Sequence, residues 1–170
     1  MEELLVDSSR AVVDIATETV LSDPEKYYPP LVELAFSGKP KFSERACRVM
    51  AFVNRNNKEL VKPCLKKIIN SLDSLNSSKQ MNFLYLLVDH AYPLDDDELG
   101  ILVSFCFHQI ANERATPGVK VLSLEILMVV VEHIPELKEE LILLIEDQLD
   151  KNKNAFISRG MKALKKLKVV

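Results

Sequence analysis

The strongest constraint on the fold of this chain is an apolar helical stripe that recurs four times. Each copy continues with mainly apolar residues three, four and seven positions after its start, and the starts are Ala46, Met81, Leu124 and Gly160. These positions share one face of an α-helix. The starts lie 35, 43 and 36 residues apart, which is the spacing of a helix-pair repeat. The pattern therefore predicts stacked helix pairs, because a single pair cannot bury its own apolar face.

The second helix of the pair recurs as well. Residues 59–73 align without gaps on residues 136–150, and the apolar positions of the two stretches coincide. A weaker version is present near Tyr27 and Leu31. Together the two stripes predict a core that includes Val49, Val53, Leu60, Ile68, Leu84, Val88, Leu127, Val131, Leu141 and Ile145.

Helix-start signals recur along the whole chain, whereas glycine, which turns between strands need, occurs only four times. Asp95 and Glu98 have the spacing of a capping box, with Asp in place of Ser or Thr. The fold class predicted is all-α, with about nine helices. Their expected ranges are 2–21, 23–37, 41–55, 57–72, 77–91, 95–112, 116–133, 135–150 and 154–168.

The paired stretches 41–73, 77–112 and 116–150 resemble the repeats of HEAT proteins, which belong to the armadillo-like α-α superhelix class. The resemblance implies one solenoid domain over 1–170. Its repeats would be 1–37, 41–73, 77–112 and 116–150, followed by a half repeat at 154–168. It also implies a non-enzymatic protein-interaction module or scaffold that binds a partner on a concave face lined by second helices.

Composition excludes several other classes of protein. The net charge of −3 gives no bulk attraction to nucleic acid or anionic lipid. The longest apolar run, 126–131, is too short to cross a bilayer, and the N-terminus lacks the features of a signal peptide. The three cysteines are interpreted as reduced thiols. The sequence therefore predicts a cytoplasmic chain without a membrane partner.

No catalytic, cofactor or metal motif is recognisable in the sequence. The three histidines are His90, His108 and His133, and they match no metal-binding spacing. The acidic cluster 95–98 is interpreted as the cap of the following helix. We therefore expect no enzymatic activity, no cofactor and no metal site.

Helical register predicts where a partner would bind. In each second helix, the residues two and six positions after its first stripe residue point away from the inward stripe. Counted from Tyr27, Leu60, Leu99 and Leu137, three of these eight residues are apolar where solvent is expected: Ile101, Phe105 and Leu143. With the basic residues Lys62, Lys66 and Lys67 they predict a groove for an acidic peptide that carries an apolar anchor. The other interpretation is that helix 95–112 is buried on both sides. The chain itself is expected to be a monomer.

An alternative function comes from the charge distribution. Residues 37–72 carry nine basic and two acidic residues, and 151–168 carry seven basic residues and no acidic one. HEAT-like DNA alkylation-repair glycosylases use a basic groove, so a nucleic-acid-binding relative of them is the second hypothesis. Acidic neighbouring segments and the absence of tryptophan for base stacking disfavour it.

Overall fold

The computed structural model of the chain describes residues 1–168. Over that range the chain forms nine α-helices and six short 3-10 turns, with no β-strand, so the all-α prediction is confirmed. Two compact units are present, an N-terminal unit Met1–Ile68 and a C-terminal unit Ile69–Val170, the latter described as far as Lys168. The assignment of a single domain stays a prediction.

The N-terminal unit is built on three helices that pack against one another. They are α1 (Arg10–Ser22), α2 (Pro24–Ala35) and α3 (Pro40–Asn56). The unit ends within α4 (Leu65–Ser71). Leu31, Met50 and Val53 are fully buried, because α3 presents its apolar stripe to both of the other helices.

The C-terminal unit consists of two layers of helices. The first helices of successive repeats, α5 (Ser77–Leu87), α7 (Pro117–Val131) and α9 (Asn154–Lys168), pack side by side. The second helices, α6 (Asp96–Ala111) and α8 (Lys138–Leu149), form the other layer. Contacts of α6 with α7 and of α8 with α9 join the two layers and enclose the core of the unit.

The predicted helix 2–21 is wrong over its first eight residues. The α-helix begins only at Arg10, because Ser9 is an N-cap whose Oγ accepts a hydrogen bond from the Val12 N–H at 3.3 Å. Residues 2–4 form a short 3-10 turn instead.

The predicted helix 57–72 is also interrupted. Two 3-10 turns, Lys58–Leu60 and Lys62–Cys64, precede α4. Pro63 stands where the aligned repeat has Glu140, and proline has no N–H with which to continue an α-helical hydrogen-bond ladder.

The predicted core is confirmed at eight of its ten positions, which are buried. The exceptions are Leu60 and Val88, which are half-buried. Both lie in 3-10 turns beyond the end of a regular helix, where the α-helical register that predicted their burial no longer applies. Two further stripe positions on α5, Met81 and Tyr85, are exposed.

No helix in residues 1–168 is both long enough and apolar enough to span a lipid bilayer.

Candidate functional site

The three lysines of the predicted partner site lie in the N-terminal unit, and all three are exposed. Lys62 forms an ion pair with Glu59, with 2.7 Å between Nζ and Oε1. The Lys67 Nζ lies 4.3 Å from the centre of the Phe36 ring, a cation–π contact. Two of the three charges are therefore partly engaged within their own unit.

The three apolar residues of the predicted site lie in the C-terminal unit. Leu143 on α8 is 67% exposed and Ile101 on α6 is also exposed, whereas Phe105 is only 4% exposed. Phe105 is buried because α6 packs against both α7 and α8. As an exposed anchor for a peptide, Phe105 is therefore a wrong prediction.

The prediction that positions two and six of the second helices face the solvent is correct at the other positions. Of the eight residues at positions two and six, Phe105 is the exception and seven are exposed: Pro29, Glu33, Lys62, Lys66, Ile101, Glu139 and Leu143. Ile101 and Phe105 border a shallow depression of about 550 Å³ on α6, but Leu143 is not part of its lining. That the predicted residues contact a partner stays a prediction.

A groove of about 840 Å³ lies elsewhere, in the layer of first helices. Apolar residues from α7, from α9 and from the turn after α5 form its floor: Val88, Leu124, Met128, Val129 and Ala163. Leu124 and Ala163 are buried, whereas the other three are half-buried and reach the solvent. The groove therefore presents apolar surface that no part of residues 1–168 covers.

The rim of the groove is charged unequally on its two sides. The α9 side carries Arg159, Lys162, Lys165 and Lys166, and the α7 side carries Glu125 and Glu132. Arg159 Nη1 pairs with Glu125 Oε1 at 3.2 Å, which neutralises one charge on each side. The other three cations of this rim, Lys162, Lys165 and Lys166, form no ion pair with residues 1–168. The rim is therefore basic along α9.

The sequence analysis did not predict this groove, although its basic rim is visible in the sequence. The run 151–168, with seven basic residues and no acidic one, contains the four cations of the α9 rim. Cations also suit the C-terminal end of a helix and keep a terminal repeat soluble, so the sequence alone does not assign this run to a binding surface. The apolar floor gave no separate signal, because Val88, Leu124 and Met128 belong to the stripe that predicts the core.

The basic stretch that suggested nucleic-acid binding is largely engaged within the N-terminal unit. The cations of this stretch that make ion pairs, hydrogen bonds or cation–π contacts there include Lys39, Arg45, Arg48, Arg55, Lys62 and Lys67. Cations held by their own chain offer less charge to phosphate groups. The contacts give the nucleic-acid hypothesis no support.

A family model described as a HEAT repeat domain matches residues 2–167. The chain belongs to the HEAT-repeat family. The match spans nearly the whole chain and confirms the resemblance drawn from the repeated stripe. Proteins of this family are typically non-catalytic and stack helix pairs into superhelices. No curated protein and no solved structure matches the chain significantly.

The histidines of this HEAT-repeat chain lie in three different environments. His90 is buried, His108 is exposed on α6, and the ring of His133 stacks on that of Tyr92 with 4.0 Å between centroids. Among residues 1–168, no three His, Cys, Asp or Glu side chains are placed to hold a metal ion. In the acidic turn, Asp95 Oδ1 accepts a hydrogen bond from the Glu98 N–H at 2.8 Å, as the capping interpretation predicts.

The three cysteines of the HEAT-repeat chain are free thiols. Cys47 and Cys106 are buried, and Cys64 is half-buried. Burial raises the pKa of the Cys106 thiol to about 12, against a smaller opposing effect of the Ser123 hydroxyl, and burial also raises the pKa of Cys64. A raised pKa removes the nucleophilic thiolate at neutral pH.

We expect iodoacetamide at pH 8 to leave Cys47 and Cys106 unmodified in the native protein and to modify Cys64 slowly. At that pH only about one Cys106 thiol in 10⁴ would be ionised, and the buried thiols are also shielded from the reagent. Intact-protein mass spectrometry reports the number of adducts, and urea-unfolded protein, in which all three thiols react, is the control. Rapid native alkylation of Cys106 would contradict the burial of α6.

Proposed function

We propose that this HEAT-repeat chain is a non-enzymatic protein-interaction module whose groove between α7 and α9 binds an acidic, helix-forming segment of a partner protein. The observation that carries the proposal is the combination of an uncovered apolar floor with a wall of three lysines that have no carboxylate partner in residues 1–168. We place the interaction in the cytoplasm, where free cysteines remain reduced.

The floor supplies the apolar part of recognition. Met128 and Val129 lie half-buried along α7, and Ala163 opposite them on α9 is small enough to let a ligand approach closely. An amphipathic helix that lies in an apolar groove buries residues spaced i, i+3 or i+4, and i+7. The partner segment is therefore expected to present leucine, methionine or phenylalanine at that spacing.

The wall determines which charge the partner segment must carry. Lys162, Lys165 and Lys166 lie within two turns of α9, so they form one row beside the floor. Complementary acidic residues steer an encounter and select against basic ligands. The α9 helix has 15 residues, so a helix of similar length, about 22 Å, would cover the wall.

The test is a selection of helical peptides of about 15 residues from a random display library against the full chain, followed by binding measurements on variants. Selected peptides are expected to be rich in Glu and Asp on one face and in Leu or Phe on the other. Met128→Glu places a charge on the apolar floor, so it is expected to weaken their binding about tenfold or more. Fluorescence anisotropy with labelled peptides measures the dissociation constants.

Met161→Glu is the matched control, because Met161 is an exposed methionine on α9 outside the groove lining. If both variants bind the selected peptides as tightly as the wild-type chain does, the groove is not the binding site.

Charge reversal tests the wall separately. The double variant Lys165→Glu with Lys166→Glu is expected to weaken binding of acidic peptides about tenfold at low salt and by less at high salt. Lys66→Glu, in the N-terminal unit, should leave binding unchanged. A loss of binding in Lys66→Glu alone would instead favour the surface predicted from the sequence.

A further inference from the structure

Residues 1–9, which precede α1, dock on the N-terminal unit with one fully buried apolar side chain, Leu5. Leu5 is 0% exposed, whereas its neighbour Val6 is 65% exposed. Burial of this leucine stabilises the docked segment, because it removes apolar surface from water. Leu5 is therefore the one fully buried side chain of the segment, whereas Met1 and Leu4 are half-buried and Val6 faces the solvent.

Basic residues of the N-terminal unit hold the main chain of this segment. Arg45 Nη1 donates to the carbonyl oxygens of Leu5 and Val6 at 2.6 and 2.9 Å. Arg48, one turn further along α3, donates from Nη1 to the Ser8 carbonyl oxygen at 2.8 Å. Main-chain carbonyls are common to all peptides, so these contacts do not depend on the side chains of the segment.

Charge complementarity adds to these contacts. Residues 1–9 include the acidic residues Glu2, Glu3 and Asp7 and no basic side chain. Lys39 Nζ pairs with Glu2 Oε1 at 2.5 Å. The arrangement is that of a bound peptide: an acidic segment with one buried leucine, held by cations through its backbone and one carboxylate.

The segment is separable from the helix that follows it. Asp7 Oδ1 accepts a hydrogen bond from the Ser9 N–H at 2.7 Å, and the Ser9 hydroxyl caps α1. Because α1 has its own cap at Ser9, its first turn does not depend on residues 1–6 for a capping hydrogen bond. A depression of about 540 Å³ also lies between the segment and α2, lined by Glu3 and Pro30 among others. The segment can therefore leave its site without unwinding α1.

We propose that the surface formed by Lys39, Arg45, Arg48 and the pocket of Leu5 is a second binding site, for an acidic, leucine-bearing segment of a partner protein. Residues 2–8 occupy this site in cis and compete with the partner. A site that is free in only about a tenth to a hundredth of the molecules binds a partner ten to a hundred times more weakly than an open one. This site is independent of the groove on α7 and α9.

The test measures binding of a fluorescein-labelled peptide of the sequence MEELLVDSS to the full chain. In the Leu5→Asp chain the resident segment loses its anchor and the site opens. We expect this chain to bind the labelled peptide about ten- to a hundredfold more tightly than the wild-type chain does. Val6→Asp is the matched control, because Val6 is exposed and its replacement should leave the resident segment docked.

Two further variants assign the contacts. Adding Arg45→Ala to the Leu5→Asp chain should abolish binding of the labelled peptide. If the Leu5→Asp chain fails to fold by circular dichroism, Glu2→Lys replaces it, because repulsion from Lys39 loosens the segment without touching its anchor.

Three results would overturn the proposal. One is a folded, loosened chain that binds no peptide, and another is an equal gain in affinity in the Val6→Asp chain. The third is exchange of residues 1–9 between two wild-type chains, seen as a dimer by sedimentation, since it would assign the site to a second copy.

Discussion

Leu141→Ala is expected to lower the free energy of unfolding by about 2–5 kcal/mol. Leu141 lies on α8 with 0% of its surface exposed. Truncation to alanine removes the buried isopropyl group and leaves a cavity. Both effects lower the stability of the folded state. Urea unfolding followed by circular dichroism measures the change, which should move the midpoint without changing the denaturant dependence.

Leu143→Ala provides a matched control for this prediction. It makes the same substitution two residues later in the same helix, at a side chain that is 67% exposed. Its effect is expected to stay within about 0.5 kcal/mol, since surface substitutions are usually that small. If the two variants lost similar free energies of unfolding, α8 would not be oriented with Leu141 towards the core and Leu143 towards the solvent.

Helical period was enough to predict most of the fold. The first-helix stripe, which contains Leu127, and the second-helix stripe, which contains Leu141, recur with so regular a spacing that helix type and inward face follow from them. The range 154–168 predicted for α9 agrees with the structure, because a basic, glycine-containing stretch there still keeps the period. Periodicity is a local property, so it can be read without knowing the neighbours of a helix.

Helix interruptions were missed where a capping or breaking residue lies inside a periodic stretch. Ser9 and Pro63 are both visible in the sequence, and each explains its interruption. The apolar pattern on either side is helical, and we gave it more weight than these residues. Weighing caps and prolines first would have separated residues 1–9 from α1.

The binding surfaces could not be predicted in the same way, because exposure depends on packing between helices. Phe105 and Ile101 lie one turn apart on α6, yet only Phe105 is covered. Met128 lies in the predicted core stripe, yet it lines an open groove. Which part of a stripe a neighbouring helix covers is set by the spacing and tilt of the two helices, and the sequence does not give these.

Phe156→Ala is expected to lower the free energy of unfolding by about 3–5 kcal/mol, which is large for a single core truncation. The ring is fully buried in the first turn of α9. One turn later, a Cβ added at Gly160 would lie 3.1 Å from Ile145 Cγ2, so α9 already approaches α8 closely there. This contact limits how far α9 can move inward, so the cavity left by the ring is expected to persist.

Urea unfolding measures this cost, and Met161→Ala is the control, because Met161 is exposed on the same helix. Because α9 carries the basic wall of the groove, Phe156→Ala should also weaken binding of acidic peptides under conditions in which the variant remains folded, while Met161→Ala should not. If Phe156→Ala lowers the stability but leaves the affinity for peptides unchanged, the lysines of the wall keep their positions without the Phe156 ring. The stability of α9 and the proposed function of the groove would then be separate properties.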